Sequence, residues 1–170
     1  MAIHSLSRSF YGMVLAHLGV GIFIAGVTVV SGYGIEKDVR LEFGESIDVA
    51  GYTFRFDSVV DGKGPNYLSK LGKITVLQDD RVETVLHPEK RFYPVQQMPM
   101  TEAAIDAGFL RDLYVSLGEP VGEKTWILRV YYKPLVDWIW GGAALMALGG
   151  FFVATDRRYR RQKRQNINTK

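Results

Sequence analysis

Two long stretches of this chain carry no charge, and that constrains its folding more than any motif does. Between Arg8 and Glu36 there is no Asp, Glu, Lys or Arg, and the apolar core from Gly12 to Val30 is 19 residues long. As a helix that core is roughly 28 Å long at about 1.5 Å per residue, enough to cross the hydrocarbon of a bilayer. A second uncharged run of 18 residues, WIWGGAALMALGGFFVAT from Trp138 to Thr155, is near the lower limit for a span. The first run also admits a reading as a cleaved signal peptide, because it lies near the N-terminus. Its core exceeds the roughly 7 to 15 residues of a signal h-region and no A-x-A site follows, so a retained helix is expected. The expectation is two transmembrane helices, over 11–33 and 136–155.

Basic residues set the orientation. The tail 156–170, DRRYRRQKRQNINTK, holds seven Lys or Arg against one acid, and Arg8 lies in the leader 1–10, so both ends are expected in the cytoplasm. Between the runs, residues 34–135 hold 13 basic and 16 acidic side chains, with no retention signal, and belong on the far side. Tyr131, Tyr132, Trp138 and Trp140 cluster where the chain would re-enter, as in an interfacial aromatic belt. Directly after an apolar span, the basic tail reads as a topology anchor against membrane lipid, and no nucleic-acid partner is expected. With no cysteine, the chain has no disulfide framework and supplies no thiol chemistry.

The intervening segment reads as mostly β. GYTFRFDSVV (51–60) alternates Tyr52, Phe54 and Phe56 against Thr53, Arg55 and Asp57, the period of a half-buried strand. KITVLQ (73–78) and RVETVL (81–86), separated by Asp79 and Asp80, predict a hairpin. KRFYPV, DLYVSLG and TWILRVYY are further strands, and TEAAIDAG (101–108) predicts one short helix or turn. The fold class expected is therefore an α+β membrane protein: two transmembrane helices flanking a small, mostly-β domain, a meander or small barrel. No enzyme constellation appears in that domain. His87 lacks a nucleophile or a second histidine at metal spacing and reads as a surface residue. QQMPM (96–100) reads as a core or edge segment, and His4 carries no signal.

One ionisable side chain lies inside an apolar run: His17, in MVLAHLGVGIFI (13–24). Such a residue is a functional-site hypothesis by default, with proton relay, ion site, inter-helix hydrogen bond and haem ligand as the candidates. Neither run offers a second ionisable group for a relay. On a helix, Phe10, Val14, Gly21, Ile24 and Thr28 share the His17 face, while Gly12, Ala16 and Gly19 form a small-residue strip beside it.

Several long strings, taken together, resemble one family: MVLAHLGV (13–20), EKDVRLEFGESIDVAGYTFRF (36–56), GPNY (64–67), LHPEKRFY (86–93), MPMTEAAIDAGFLRDLYVSLGE (98–119) and RVYYKPLVDWIWGGAALMALGG (129–150). They look like the C-terminal portion of the CcmF-type cytochrome c haem lyases. The resemblance implies a place in the bacterial inner membrane, with the central domain periplasmic. It implies work in a complex that forms thioether bonds between haem vinyl groups and the CxxCH thiols of apocytochrome c. The partners implied are the haem chaperone CcmE, CcmH with CcmI, apocytochrome c, and quinol as electron source. It further implies a haem b within the membrane helices, with His17 as one axial ligand of its iron.

The family's tryptophan-rich haem-handling segment has no counterpart here, since Trp126, Trp138 and Trp140 fit a strand and a re-entry belt. The chain is therefore expected to be a split subunit or a fragment, with the second axial ligand supplied by the remaining N-terminal part of the lyase or by another chain. It is not expected to catalyse alone, and no catalytic residue is assigned. The rival expectation is a non-catalytic membrane scaffold whose domain docks assembly partners and whose His17 only bonds helix to helix.

Overall fold

The computed structural model describes residues 7–156. His4 and the basic residues beyond Asp156 therefore lie outside the described residues. The described chain divides into two compact units, a helical one and a β one.

The helical unit is built on α1 (Arg8–Tyr33) and α2 (Val136–Ala154), each long and apolar enough to cross a membrane. Ser7 starts α1, its Oγ accepting from the Phe10 N–H at 3.3 Å. Asp156, just past the end of α2, accepts from the Ser9 N–H through Oδ2 at 3.0 Å. A carboxylate there meets the positive end of the α1 dipole. The two helices are antiparallel, and glycines repeating every seventh residue form their seam. Gly12 meets Gly149 and Val153, Gly19 meets Gly142 and Met146, and Gly26 meets Ile139. A Cβ built on Gly19 would lie 2.7 Å from the Gly142 carbonyl oxygen, and one on Gly142 would lie 2.7 Å from that of Gly19. Only hydrogens fit there, so each Cα–H points at the opposite carbonyl, as at close helix contacts in membranes. Away from the seam the helices remain apolar and exposed, at Val14, Leu18 and Ile24 on α1 and at Trp140, Phe151 and Phe152 on α2. Water would not tolerate such a surface, whereas lipid would.

The β unit contains ten strands: β1 (Ile35–Glu42), β2 (Ser46–Val49), β3 (Tyr52–Lys63), β4 (Leu68–Gln78), β5 (Arg81–Leu86), β6 (Glu89–Tyr93), β7 (Met98–Glu102), β8 (Ala104–Asp106), β9 (Arg111–Pro120) and β10 (Thr125–Pro134). They form two antiparallel sheets, one ordered β1-β10-β9-β8 and the other β2-β3-β4-β6-β7 with β5 also on β4. Alternation fixes the inner faces. Tyr52, Phe54 and Phe56 from β3, Ile74 and Val76 from β4, Leu113, Val115 and Leu117 from β9, and Trp126, Leu128 and Val130 from β10 are all buried in one core.

The small, mostly-β domain is as expected, and its strands are shared between two sheets, an arrangement that strand periodicity alone does not distinguish from a single meander or barrel. The β4–β5 hairpin also forms as expected, with Asp79 and Asp80 at φ 50° and 61° in its two-residue turn. That is the left-handed geometry a tight hairpin demands, and Asp adopts it more readily than most residues. TEAAIDAG is not a helix. Thr101 and Glu102 pair with Lys90 and Glu89, Ala104–Asp106 pair with β9, and Ala104 packs on the core. Cross-strand pairing and burial have overridden a locally helical composition. β1 and β2 escape a periodicity reading because each alternates with charge, as strands at sheet edges do.

Candidate functional site

His17 lies in α1, and one hydrogen bond defines its chemistry. Its Nδ1 is 2.8 Å from the Met13 carbonyl oxygen, one turn earlier on the same helix. A carbonyl only accepts, so Nδ1 bears the proton and donates it. In the neutral ring Nε2 then carries the free lone pair, so the backbone selects that tautomer.

The position of the ring on the helix matters as much. At 3.6 residues per turn, His17 is roughly 140° to 180° around α1 from Gly12, Gly19 and Gly26. The seam glycines are buried and His17 is exposed. The small strip of Gly12, Ala16 and Gly19 therefore serves α2, as Gly149 meets both Gly12 and Ala16, and does not serve the imidazole. Gly21, one turn beyond His17, is different: a Cβ there would meet nothing within 4 Å. That face of α1 is lined by the exposed Phe10, Val14 and Ile24. The ring's hydrogen bond is local, and it does not tie α1 to α2.

Within the β unit, His87 is exposed between β5 and β6, and the neighbouring Glu89 bonds Arg91, not the imidazole. Among the described residues no three His, Cys, Asp or Glu gather as a metal site. QQMPM is an edge: β7 borders its sheet, and Met98 and Met100 are exposed.

The charged side chains are mostly paired for structural ends. Lys90 from β6 reaches the other sheet, donating to the Gly118 carbonyl at 3.0 Å and pairing with Glu119. Arg111 from β9 donates to the Tyr52 hydroxyl at 3.1 Å and to Glu83 at 3.0 Å, and pairs with Asp106. Burial lowers its pKa, but the hydrogen bonds with Tyr52 and Asp106 outweigh burial and hold it above the ordinary arginine value. Asp57 is the extra residue of a bulge in β3. Burial pushes its carboxyl up, yet hydrogen bonds from Thr75 and Arg55 hold it below the usual carboxylate range. No sequence signal marks the cross-sheet partners of Lys90 and Arg111, because those contacts join residues 28 or more positions apart.

Two grooves accompany these features. One, of about 750 Å³, lies on the helix pair between Tyr11, Leu15 and Leu18 of α1 and Phe151 and Phe152 of α2. The other, of about 540 Å³, is at an end of the β unit, between Leu68, Phe92 and Pro99 on one side and Pro120 and Trp126 on the other. Neither is lined by His17.

Comparison with known proteins assigns the β unit. The family described as the CcmF C-terminal beta-sandwich matches residues 32–134, more than half of the chain. The chain belongs to the CcmF family. It is 51% identical over 156 residues to the cytochrome c-type biogenesis protein CcmF of Pseudomonas aeruginosa, covering 92% of this chain and 24% of that protein. To the CcmF of Escherichia coli K12 it is 46% identical over 154 residues, covering 91% of this chain and 24% of that protein. The cytochrome c-type biogenesis protein ccl1 of Rhodobacter capsulatus is 47% identical over 156 residues, with 91% of this chain and 24% of that protein covered. A solved structure titled cytochrome c heme lyase CcmF superposes with a TM-score of 0.68 over 86% of this chain and 24% of that one, at 24% identity, and shows a common fold. The chain thus spans about a quarter of the length of these CcmF proteins and corresponds to their C-terminal part. The expected α+β membrane architecture, two apolar helices flanking a mostly-β domain, is the one found.

Proposed function

We propose that this chain acts as the C-terminal part, or a separately encoded C-terminal subunit, of a cytochrome c haem lyase, with His17 as an axial ligand of a haem b among membrane helices. One observation carries the ligand assignment: Nδ1 donates to the Met13 carbonyl at 2.8 Å, leaving Nε2 unprotonated on a face of α1 that α2 does not cover. A neutral imidazole nitrogen is a strong iron donor, and ligation satisfies a polar atom that lipid cannot. The open space at Gly21 fits the approach of a large planar group. When bound, a haem supplies one-electron chemistry. The residues of this chain hold the donor nitrogen in a fixed tautomer and orientation.

In this reading the two helices cross the bacterial inner membrane with both ends cytoplasmic, and the β domain is periplasmic. The β domain presents its surface to the other components, CcmE, CcmH with CcmI, and apocytochrome c, and quinol supplies the electrons. Thioether formation is left to the remaining N-terminal part of the lyase.

The test is co-expression with the remainder of a lyase and purification of the assembly. Wild type is expected to give a b-type haem spectrum, and His17→Ala to lose most of it while the two parts still co-purify. An unchanged spectrum in the His17→Ala assembly would refute the ligand assignment.

A further inference from the structure

The end of the β unit from which the chain enters the helices carries a feature that neither the core nor His17 explains. Strand register defines that end. Ile35, at the start of β1, pairs with Tyr132, and Pro134, the last residue of β10, pairs with Arg111 at the start of β9. Asp106, the last residue of β8, pairs with Leu113. Both helix junctions and the loop 107–110 therefore leave the sheet at the same end, the loop one strand spacing, about 5 Å, from β10.

That loop has a polar base and an apolar tip. At its base Gly108 N–H donates to Asp112 Oδ1 at 3.1 Å, and Arg111 donates to the Asp106 carbonyl at 3.2 Å and pairs with the Asp106 carboxylate. At its tip Phe109 is 74% exposed and Leu110 63% exposed. Tyr33, two residues before β1 at the same end, is 72% exposed. Adjacent large apolar residues on a hydrogen-bonded loop form a surface that water penalises. Leu110 precedes the residue opposite Pro134, so the tip is level with the first residues after β10.

We propose that Phe109 and Leu110 form a membrane anchor, inserted into the headgroup and upper acyl region of the phospholipid bilayer beside the two helix junctions. The occupant is lipid because the chain itself enters the apolar helices from this end. Tyr33 alongside is the kind of aromatic that settles at the interface. The anchor would hold the domain against the bilayer at a third point, besides its two covalent junctions. This inference rests on the reading of α1 and α2 as membrane spans.

The native sequence contains no cysteine, so a single introduced thiol reports from one place. The full chain is prepared as Phe109→Cys, Leu110→Cys, Val121→Cys and Leu18→Cys, each spin-labelled and placed in phosphatidylethanolamine–phosphatidylglycerol bilayers. Each must melt like wild type, and Leu110→Cys substitutes if Phe109→Cys does not. Val121, in the β9–β10 connection, lies about 30 Å away at the other end of the sheet. Collisions with oxygen and with a water-soluble nickel chelate are then measured. Labels at 109 and 110 are expected to resemble that at 18, with a nickel-to-oxygen ratio severalfold below that at 121. Nickel access at 109 and 110 equal to that at 121, with 18 shielded in lipid, overturns the anchor alone. Shielding of 109 and 110 from both reagents overturns it in favour of a protein contact. Nickel access at 18 as well overturns the membrane spans and the anchor with them.

Discussion

Replacing seam glycines one at a time by alanine tests whether backbone contact holds α1 against α2. At Gly19 the added methyl would lie 2.7 Å from the Gly142 oxygen and 2.7 Å from the Met146 nitrogen, atoms that cannot rotate aside. Relief to an ordinary contact near 3.4 Å requires the helices to separate by about 0.7 Å at that layer. The separation weakens two reciprocal Cα–H···O contacts, each worth roughly 0.5–1 kcal/mol, and thins the surrounding dispersion contacts, a total of about 1–3 kcal/mol. Gly142→Ala is expected to cost a similar amount, since its methyl meets the Phe23 nitrogen at 2.6 Å. Gly141 and Gly150 are the controls, because a Cβ at either meets nothing within 4 Å. Alanine there is expected to be neutral or stabilising by up to roughly 1 kcal/mol through helix propensity. The assay is SDS titration of the full chain in mixed micelles, read by energy transfer between labels on α1 and α2. If Gly19→Ala and Gly142→Ala unfold at the same SDS fraction as Gly141→Ala and Gly150→Ala, backbone contact does not hold the pair.

Two further predictions concern the β unit. Phe54 is fully buried, so Phe54→Ala is expected to destabilise it by roughly 3–5 kcal/mol, seen as a lower urea midpoint for the full chain in nanodiscs; a loss below about 1 kcal/mol would contradict the core. The Asp57 carboxyl is held below its ordinary value, so its contribution is present above the unfolded value near 4 and is lost as pH falls through the folded one. Asp57→Asn is therefore expected to lower stability at pH 7 and to flatten the acid limb of a pH titration of the urea midpoint; an acid limb as steep as that of wild type would count against this.

Different physical signals made different parts of this chain legible. The helices follow from runs without charge, and β3 from the alternation of Tyr52, Phe54 and Phe56, because both signals reside in consecutive residues. The hairpin at Asp79 and Asp80 is equally local. The division into two sheets is not, since it depends on β1 pairing with β10 at a separation of some ninety residues. TEAAIDAG failed for the same reason, its neighbours in space being β6 and β9. At the candidate site, an imidazole in an apolar run was visible at once. The carbonyl that fixes its tautomer was not, although a carbonyl one turn earlier is available to any helical histidine and only the side-chain rotamer decides its use.

The placement of His17 has a consequence for the remainder of the site under the haem reading. A haem held by His17 would sit on the open face of α1, and a second donor would come from beyond that face. α2 cannot provide it, for α2 is committed to the glycine line on the other side and contains no histidine. The sequence has only two other histidines, His4, outside the described residues, and His87 on the β unit surface. On that reading the open space at Gly21 and the exposed Phe10, Val14 and Ile24 on the same face would line a contact with helices from the other part of the lyase. On the haem reading α1 would separate packing from ligation: one line of small residues meets α2, and the opposite line would present the donor. Substitutions in the seam should therefore weaken the helix pair before they alter the haem spectrum, whereas His17→Ala should act in the reverse order.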